Sequence, residues 1–177
     1  MIEFPQKKYS VIYADPPWRY QDRTPPQGAA ESHYPTMKLE DICALPISQI
    51  CDEDCVLFLW ATYPLLPEAI KVLQSWGFSY KSVAFTWVKQ NKSGNGFFFG
   101  LGRWTRGNPE ICLLGVKGSP KRVSTSVENL TISPLQRHSQ KPEIIRQKIV
   151  DLIGDLPRIE LFARQNVQGW DSWGNEV

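Results

Sequence analysis

The sequence is short of the residues that usually mark a secreted, membrane-bound or metal-built protein. Its 177 residues include four cysteines and two histidines. No apolar run approaches the roughly 18 residues of a membrane span. The start, MIEFPQKKYSV, has no signal-peptide core, so a cytoplasmic protein is expected. The spacing of Cys43, Cys51 and Cys55 is not a common zinc pattern. Reduced thiols in and beside a buried strand are expected there, and no metal. Excess charge is also missing. Lys and Arg number 20 against 18 Asp and Glu, a formal net charge of +2. That excludes an overwhelming pull toward nucleic acid but leaves room for a local basic patch. There is no internal repeat and no low-complexity tract. The length and the 42% hydrophobic share suit one globular domain, residues 1–177, with a core of its own.

The remaining pattern alternates strand and helix. Strands are predicted at 9–14 (YSVIYA), 55–61 (CVLFLWA), 80–89, 110–118 and 158–163. The continuous apolar run of the second suits a strand covered on both faces. MKLEDICAL reads as a short helix. In PLLPEAIKVLQSWG, Leu66, Ala69, Ile70 and Leu73 fall on one helical face and Gly77 is the stop. A last helix is predicted around KPEIIRQKIVDLI, with Pro142 in its first turn and Ile145, Ile149 and Leu152 as its stripe. Residues 15–36 and 89–107 read as long loops, and the end of the chain, from 164, as a polar tail. The alternation predicts an α/β fold, an open and mostly parallel sheet with helices on both faces. Ligands bind such sheets outside the carboxyl ends of the strands. Asp15 and Arg164 follow two such ends.

The corner YADPPWRYQD, residues 13–22, is the most informative stretch. Two prolines fix the backbone and remove two donors, leaving their carbonyls to accept. An ionised Asp15 only accepts, and Trp18 offers a flat apolar face. Converging acceptors beside a plate match a planar group bearing an NH2, such as the exocyclic amine of a nucleobase. The lone pair of such an amine is delocalised into its ring. Accepting both N–H bonds favours the pyramidal, nucleophilic form and stabilises the charge that develops on attack, worth ~3–4 kcal/mol per well-placed group. With no strong base in view, the electrophile must be reactive, as a sulfonium methyl is. Four letters alone fit a strand-terminating turn, with Trp18 capping the core, equally well.

The rest of the chain separates these readings. DPPW after an apolar strand is similar to the D/N-P-P-Y/F/W motif of S-adenosylmethionine-dependent amino-methyltransferases. With HYPTMKLEDI, CVLFLWAT, SWGF, WVKQN, ICLLGVKG, HSQKPEIIRQKI and IELFAR…GWDSWGNE in order, the chain resembles the MT-A70 family of adenine N6-methyltransferases from about Tyr9 to Glu176. The resemblance implies a Rossmann-like methyltransferase fold and S-adenosylmethionine as cofactor. It gives Asp15, Pro16, Pro17 and Trp18 as the catalytic motif, with Asp15 also near the methionine end of the cofactor. Lys141, Arg164, Asn166, Asn175 and Glu176 match cofactor-binding positions, and Tyr34 a tyrosine near the incoming adenine. For Lys141 a physical reason adds to this: the dipole at a helix start disfavours a cation that has no other role. Glu160, a carboxylate within an apolar strand, is expected at a site or in a pair, and exposure at a strand edge explains it equally.

A base inside a duplex cannot reach such a corner, so flipping or single strands are required. Lys89, Lys92, Arg103 and Arg106 can track phosphates, Trp18 and the loop aromatics Phe97, Phe98, Phe99 and Trp104 can stack on bases, and Lys117, Lys121 and Arg122 can extend the basic surface. A mobile glycine loop packed on the domain is the plain alternative for 89–107. The expected reaction is methylation of adenine N6 in DNA, with RNA as the close alternative. A protein-glutamine methyltransferase would carry Asn in place of Asp15 and a glycine-rich loop upstream. A non-catalytic nucleic-acid scaffold would bind no cofactor. GNGFFFGLG misses the G-x-G-x-x-G spacing of a dinucleotide site. No separate target-recognition domain is visible, so specificity is expected from short loops or a partner. The family's working pairs add a homo- or heterodimer to the partners implied, this chain being the active member.

Overall fold

The structure is a computed structural model that describes residues 3–19, 36–102, 104–137 and 139–177. Seven strands form one sheet: β1 (Tyr9–Ala14), β2 (Cys51–Ala61), β3 (Ser79–Gln90), β4 (Glu110–Lys117), β5 (Leu130–Pro134), β6 (Arg158–Leu161) and β7 (Asp171–Trp173). Their order is β5-β3-β4-β2-β1-β6-β7. The α/β alternation is as predicted, but the sheet is mixed rather than parallel throughout. β4 is antiparallel to both β2 and β3, while β1 pairs in parallel with β2 and β6. The reason is the connection between β3 and β4. Its described residues form no crossover helix, and the chain returns beside β3 in the opposite sense.

Three helices cover the sheet: α1 (Leu39–Cys43), α2 (Leu66–Ser75) and α3 (Ile144–Ile153). The two-residue period of β1 divides the core. Ile12 and Ala14 join a cluster with Ile42 of α1 and Ala69, Val72 and Leu73 of α2. Val11 and Tyr13 join the other, with Ile145, Ile149 and Ile153 of α3. Helices therefore lie on both faces, and residues 55–61 of β2 are buried throughout, as their unbroken apolar run requires. Two stripes are rotated from expectation. α2 buries Val72, while Leu66 is exposed, and α3 buries Ile153 ahead of Leu152. Pro142 sits two residues before α3 rather than in its first turn. Gly77 ends α2 as predicted, with φ 87° and its N–H on the Gln74 carbonyl at 2.9 Å.

β5 and β7 were not legible. They are the two edges, three to five residues long and partly polar, so neither shows an apolar run. Glu160 of β6 is buried and paired: Arg146 of α3 donates to it twice, at 2.6 and 2.8 Å. Cys51, Cys55 and Cys112 are buried and Cys43 half-buried, all as free thiols. Among the described residues, no helix is long and apolar enough to cross a membrane.

Candidate active site

Register decides what meets at the upper edge of the sheet. Ala14 pairs with Leu59 of β2 and with Leu161 of β6, so β1 and β6 end level. Asp15 leaves one strand where Phe162 leaves the other. Because β4 is reversed, its first residue, Glu110, arrives at that same carboxyl edge, opposite Trp87 of β3. A cleft of about 1150 Å³ opens there, lined among others by Asp15, Pro16, Pro17, Trp18, Lys92, Glu110, Lys141, Arg164, Asn175 and Glu176.

Four charges run along one wall in alternating sign. Lys141 Nζ donates to Asp15 Oδ2 at 2.7 Å and lies 3.1 Å from Glu110 Oε2. Lys89 Nζ reaches Glu110 Oε1 at 2.6 Å. The Lys141 side chain is only 8% exposed, whereas Asp15 keeps 26%, so the chain of charges is closed inside and open at the cleft. Burial acts to lower the Lys141 ammonium, but Asp15 and Glu110 outweigh it and raise it. Burial likewise acts to raise Glu110, but Lys141 and Lys89 hold it below the usual carboxylate range. For Asp15 burial wins: its carboxyl sits above the usual range, against the pull of Lys141 and with the push of Glu110. The misfit of a lysine near a helix start is thus resolved by two carboxylates, three residues ahead of α3.

The corner itself is rigid. Trp18 N–H donates to the Pro16 carbonyl at 2.8 Å, and Met37 N–H to that of Pro17 at 2.9 Å. Contrary to the expectation from sequence, the carbonyls are therefore not wholly free, but each retains a second lone pair. Trp18 is 7% exposed, and its Nε1 donates to the Trp60 carbonyl at 3.1 Å. It caps the core and still lines the cleft, so the two sequence readings of this residue are compatible. Trp60 carries the Lys141 ammonium 5.5 Å over its ring.

More of the lining comes from the chain after β6. Arg164 lies 3.7 Å from Glu176, and Asn175 lines the cleft beside it. Phe162 and Trp173 meet edge to face at 5.6 Å, and Phe4 stacks on Trp173 at 4.3 Å. Among the described residues, two that are not glycine adopt left-handed backbone, Ser139 and Phe162, each at φ 59°. Both line the cleft, where strain of this kind tends to collect.

Not every expected residue arrives. Asn166 is not among the lining residues, and Arg106 stands outside the cleft, donating to the Phe99 carbonyl at 2.9 Å. Lys89 is tied to Glu110 rather than free for phosphates. Lys117 ends the reversed strand beside Cys55, at the opposite edge of the sheet. Tyr34, Arg103 and most of the 15–36 loop lie outside the described residues. Glu110 was missed altogether. Its one signal is a carboxylate opening an apolar strand, and that points to a site only once the strand is known to be reversed.

Residues 9–176 match the family described as MT-A70. The chain belongs to the MT-A70 family. M.MunI of Mycoplasma sp, a type II methyltransferase, is 36% identical over 99% of this chain and 80% of its own length. The human N(6)-adenosine-methyltransferase catalytic subunit METTL3 is 30% identical over 96% of the chain, which spans only 28% of METTL3. The N(6)-adenosine-methyltransferase MT-A70-like protein of Drosophila melanogaster is 30% identical over 96% of the chain and 27% of its own length. The chain thus spans four fifths of the first relative and about a quarter of the other two. The chemistry of the MT-A70 family is methyl transfer to adenine N6, with S-adenosylmethionine as donor.

Proposed function

We propose that this protein transfers a methyl group from S-adenosylmethionine to the N6 amine of adenine in DNA, as a single Rossmann-like methyltransferase domain. The observation that carries the reading is Asp15: a carboxylate at a strand's carboxyl end, held by Lys141, open to a large cleft and flanked by two proline carbonyls. The donor set fits the cofactor. The cleft has carboxylate and ammonium at one end for an amino-acid moiety. Arg164, Asn175 and Glu176, which also line it, supply polar groups for a ribose, with the Phe4, Phe162 and Trp173 rings in the same lining. Lys141, Arg164, Asn175 and Glu176 are the residues to hold it. Asn166, a cofactor-binding position by resemblance, is off this lining.

When bound, S-adenosylmethionine supplies an electrophilic sulfonium methyl. The protein's part is to prepare the amine. Asp15 accepts one N–H on the lone pairs Lys141 leaves free, and the Pro16 carbonyl accepts the other on its second lone pair. Pro17 and Trp18 fix that geometry, Trp18 through its bond to Trp60. Because burial raises the Asp15 carboxyl, the carboxylate is a stronger acceptor than a solvated one. Lys141 stays cationic and orients it, and Asp15, open to the cleft, is the group placed to take up the proton that N6 gives up once it carries the methyl. Tyr34 is assigned beside the adenine, and Lys92, Arg103 and Arg106 to the nucleic-acid backbone. The nucleic acid is the partner required; a homo- or heterodimer is a further proposal.

DNA is favoured by M.MunI, a type II methyltransferase of which the chain covers four fifths. RNA is the second reading, supported by the adenosine methyltransferases among the relatives. A methyl-labelled cofactor offered with single- and double-stranded DNA and RNA decides between them. Label in N6-methyladenine of digested DNA, absent with Asp15→Ala, is the expected result. Label in RNA alone overturns the choice of polymer, and failure to bind the cofactor overturns the reaction.

A further inference from the structure

The 97–108 segment puts large apolar side chains where a folded protein normally avoids them. Trp104 is 98% exposed and Leu101 90%, with Phe97 and Phe99 about half exposed. Exposed aromatics this close together mark a contact surface rather than ordinary surface scatter. Yet the base of the loop is firmly fixed. Asn108, buried, donates from Nδ2 to the Lys89 carbonyl at 2.8 Å and to that of Phe98, and accepts from Lys89 N–H at 2.9 Å. Gly100 N–H closes the neck on the Gly107 carbonyl at 2.8 Å. Lys89 also holds Glu110, so the loop is rooted in the same network that positions Asp15. Phe98 and Lys92, at its base, line the cleft itself.

Charge says what the tip meets. Residues 91–107 contain no Asp or Glu, and Arg106 braces the tip on the Phe99 carbonyl and ring. An apolar tip in a cationic, carboxylate-free loop suits a polyanion with an apolar interior. A base-paired stack is one. Moving an adenine from the stack to Asp15 leaves a gap one base thick, and apolar side chains inserted at such steps hold a duplex open. We propose that Trp104, supported by Leu101, is the wedge that fills the stack when the target adenine leaves it. The proposal rests on the DNA reading above.

Because Trp104 touches almost nothing, Trp104→Ala leaves the fold intact. Unmethylated DNA of mixed sequence, native or heat-denatured, serves as substrate, with label in N6-methyladenine as the readout. The variant is expected to lose about fivefold on native DNA, the low end of what one base–aromatic stack supplies. It should stay within about twofold of wild type on denatured DNA, where no duplex must be opened. Trp104→Phe should restore most of the duplex activity. Equal loss on both forms, or no loss on duplex, overturns the wedge. So does a variant that turns a sedimenting dimer into a monomer with both activities reduced, since the patch is then a contact between copies. Wild-type protein that labels denatured DNA but no duplex keeps the enzyme and overturns the wedge. Wild-type protein that labels no DNA overturns the DNA reading itself, and the wedge with it.

Discussion

Asp15 and Glu160 stand at neighbouring ends of two paired strands, and each carboxylate meets a cation from the same stretch of chain. Glu160 is answered in full. Arg146 reaches both its oxygens from α3, and the pair packs against Tyr13, with the guanidinium 5.8 Å from that ring. Burial acts to lower the Arg146 guanidinium, and Glu160 outweighs it. Asp15 is answered by one ammonium, which it shares with Glu110, and its other lone pairs face a cleft. The first arrangement is closed and ties α3 to the sheet. The second is open to the cleft, where the proposed reaction uses Asp15 as the acceptor for an N–H donor. The difference teaches that burial alone does not single out a carboxylate as a candidate site; its opening to a cleft does.

The sharpest test of the open member is Asp15→Asn. It keeps shape and size but replaces an anionic acceptor with an amide. Methyl transfer should fall by about 10²–10³ in kcat, the usual loss for one preorganised electrostatic group, with the thermal midpoint little changed. Single-turnover kinetics checks it. A variant with wild-type kcat would mean that Asp15 is as structural as Glu160.

The closed member should behave in the opposite way. Glu160→Gln leaves the Arg146 charge in a mostly buried place, costing about 3 kcal/mol of stability, the low end for breaking a buried pair. Activity per folded molecule should stay near wild type. Removing both partners, as in Arg146→Met with Glu160→Leu, should recover most of the loss, because neither charge is then stranded. Urea unfolding of the three variants measures this. If Glu160→Gln is stable but inactive, the contrast between the two pairs collapses.

Much of this contrast could be read before any fold was known, and the rest could not for definite reasons. The strands at Tyr9–Ala14 and 55–61 follow from apolar runs, and the two long helices from spacing. The site residues after β1 and β6 follow from the rule that ligands sit at carboxyl ends. Glu110 follows from no such rule, because it begins a strand. Only the antiparallel return from β3 to β4 carries a strand start to that edge. Asn108 was equally hidden: an Asn after a glycine reads as a turn former, and its three bonds to Lys89 and Phe98 depend on tertiary placement. Trp18 shows the converse. Its letter suggested both a cap and a plate, and packing allows both.

The smallest effect expected is also the one that divides the open network most finely. Burial raises the Asp15 carboxyl, Glu110 adds to this, and Lys141 opposes it. Methyl transfer needs the carboxylate, so activity is lost as pH falls through a value above the ordinary aspartate range. Glu110→Gln removes a push upward, so the acid limb of the pH profile should move to lower pH. The rate at neutral pH should drop about tenfold, because Lys141 is less firmly placed. Lys141→Met removes the opposing pull, and the limb should move toward neutrality. Stability has its own sign. Glu110, held low in the folded protein, contributes stability above its unfolded value that disappears as pH falls through the folded one. Glu110→Gln should therefore flatten the loss of stability on acidification while shifting the activity limb the same way. If both variants moved the limb in one direction, Asp15 would not be the group that titrates, and the alternating chain of charges would be scaffolding like the pair at Glu160.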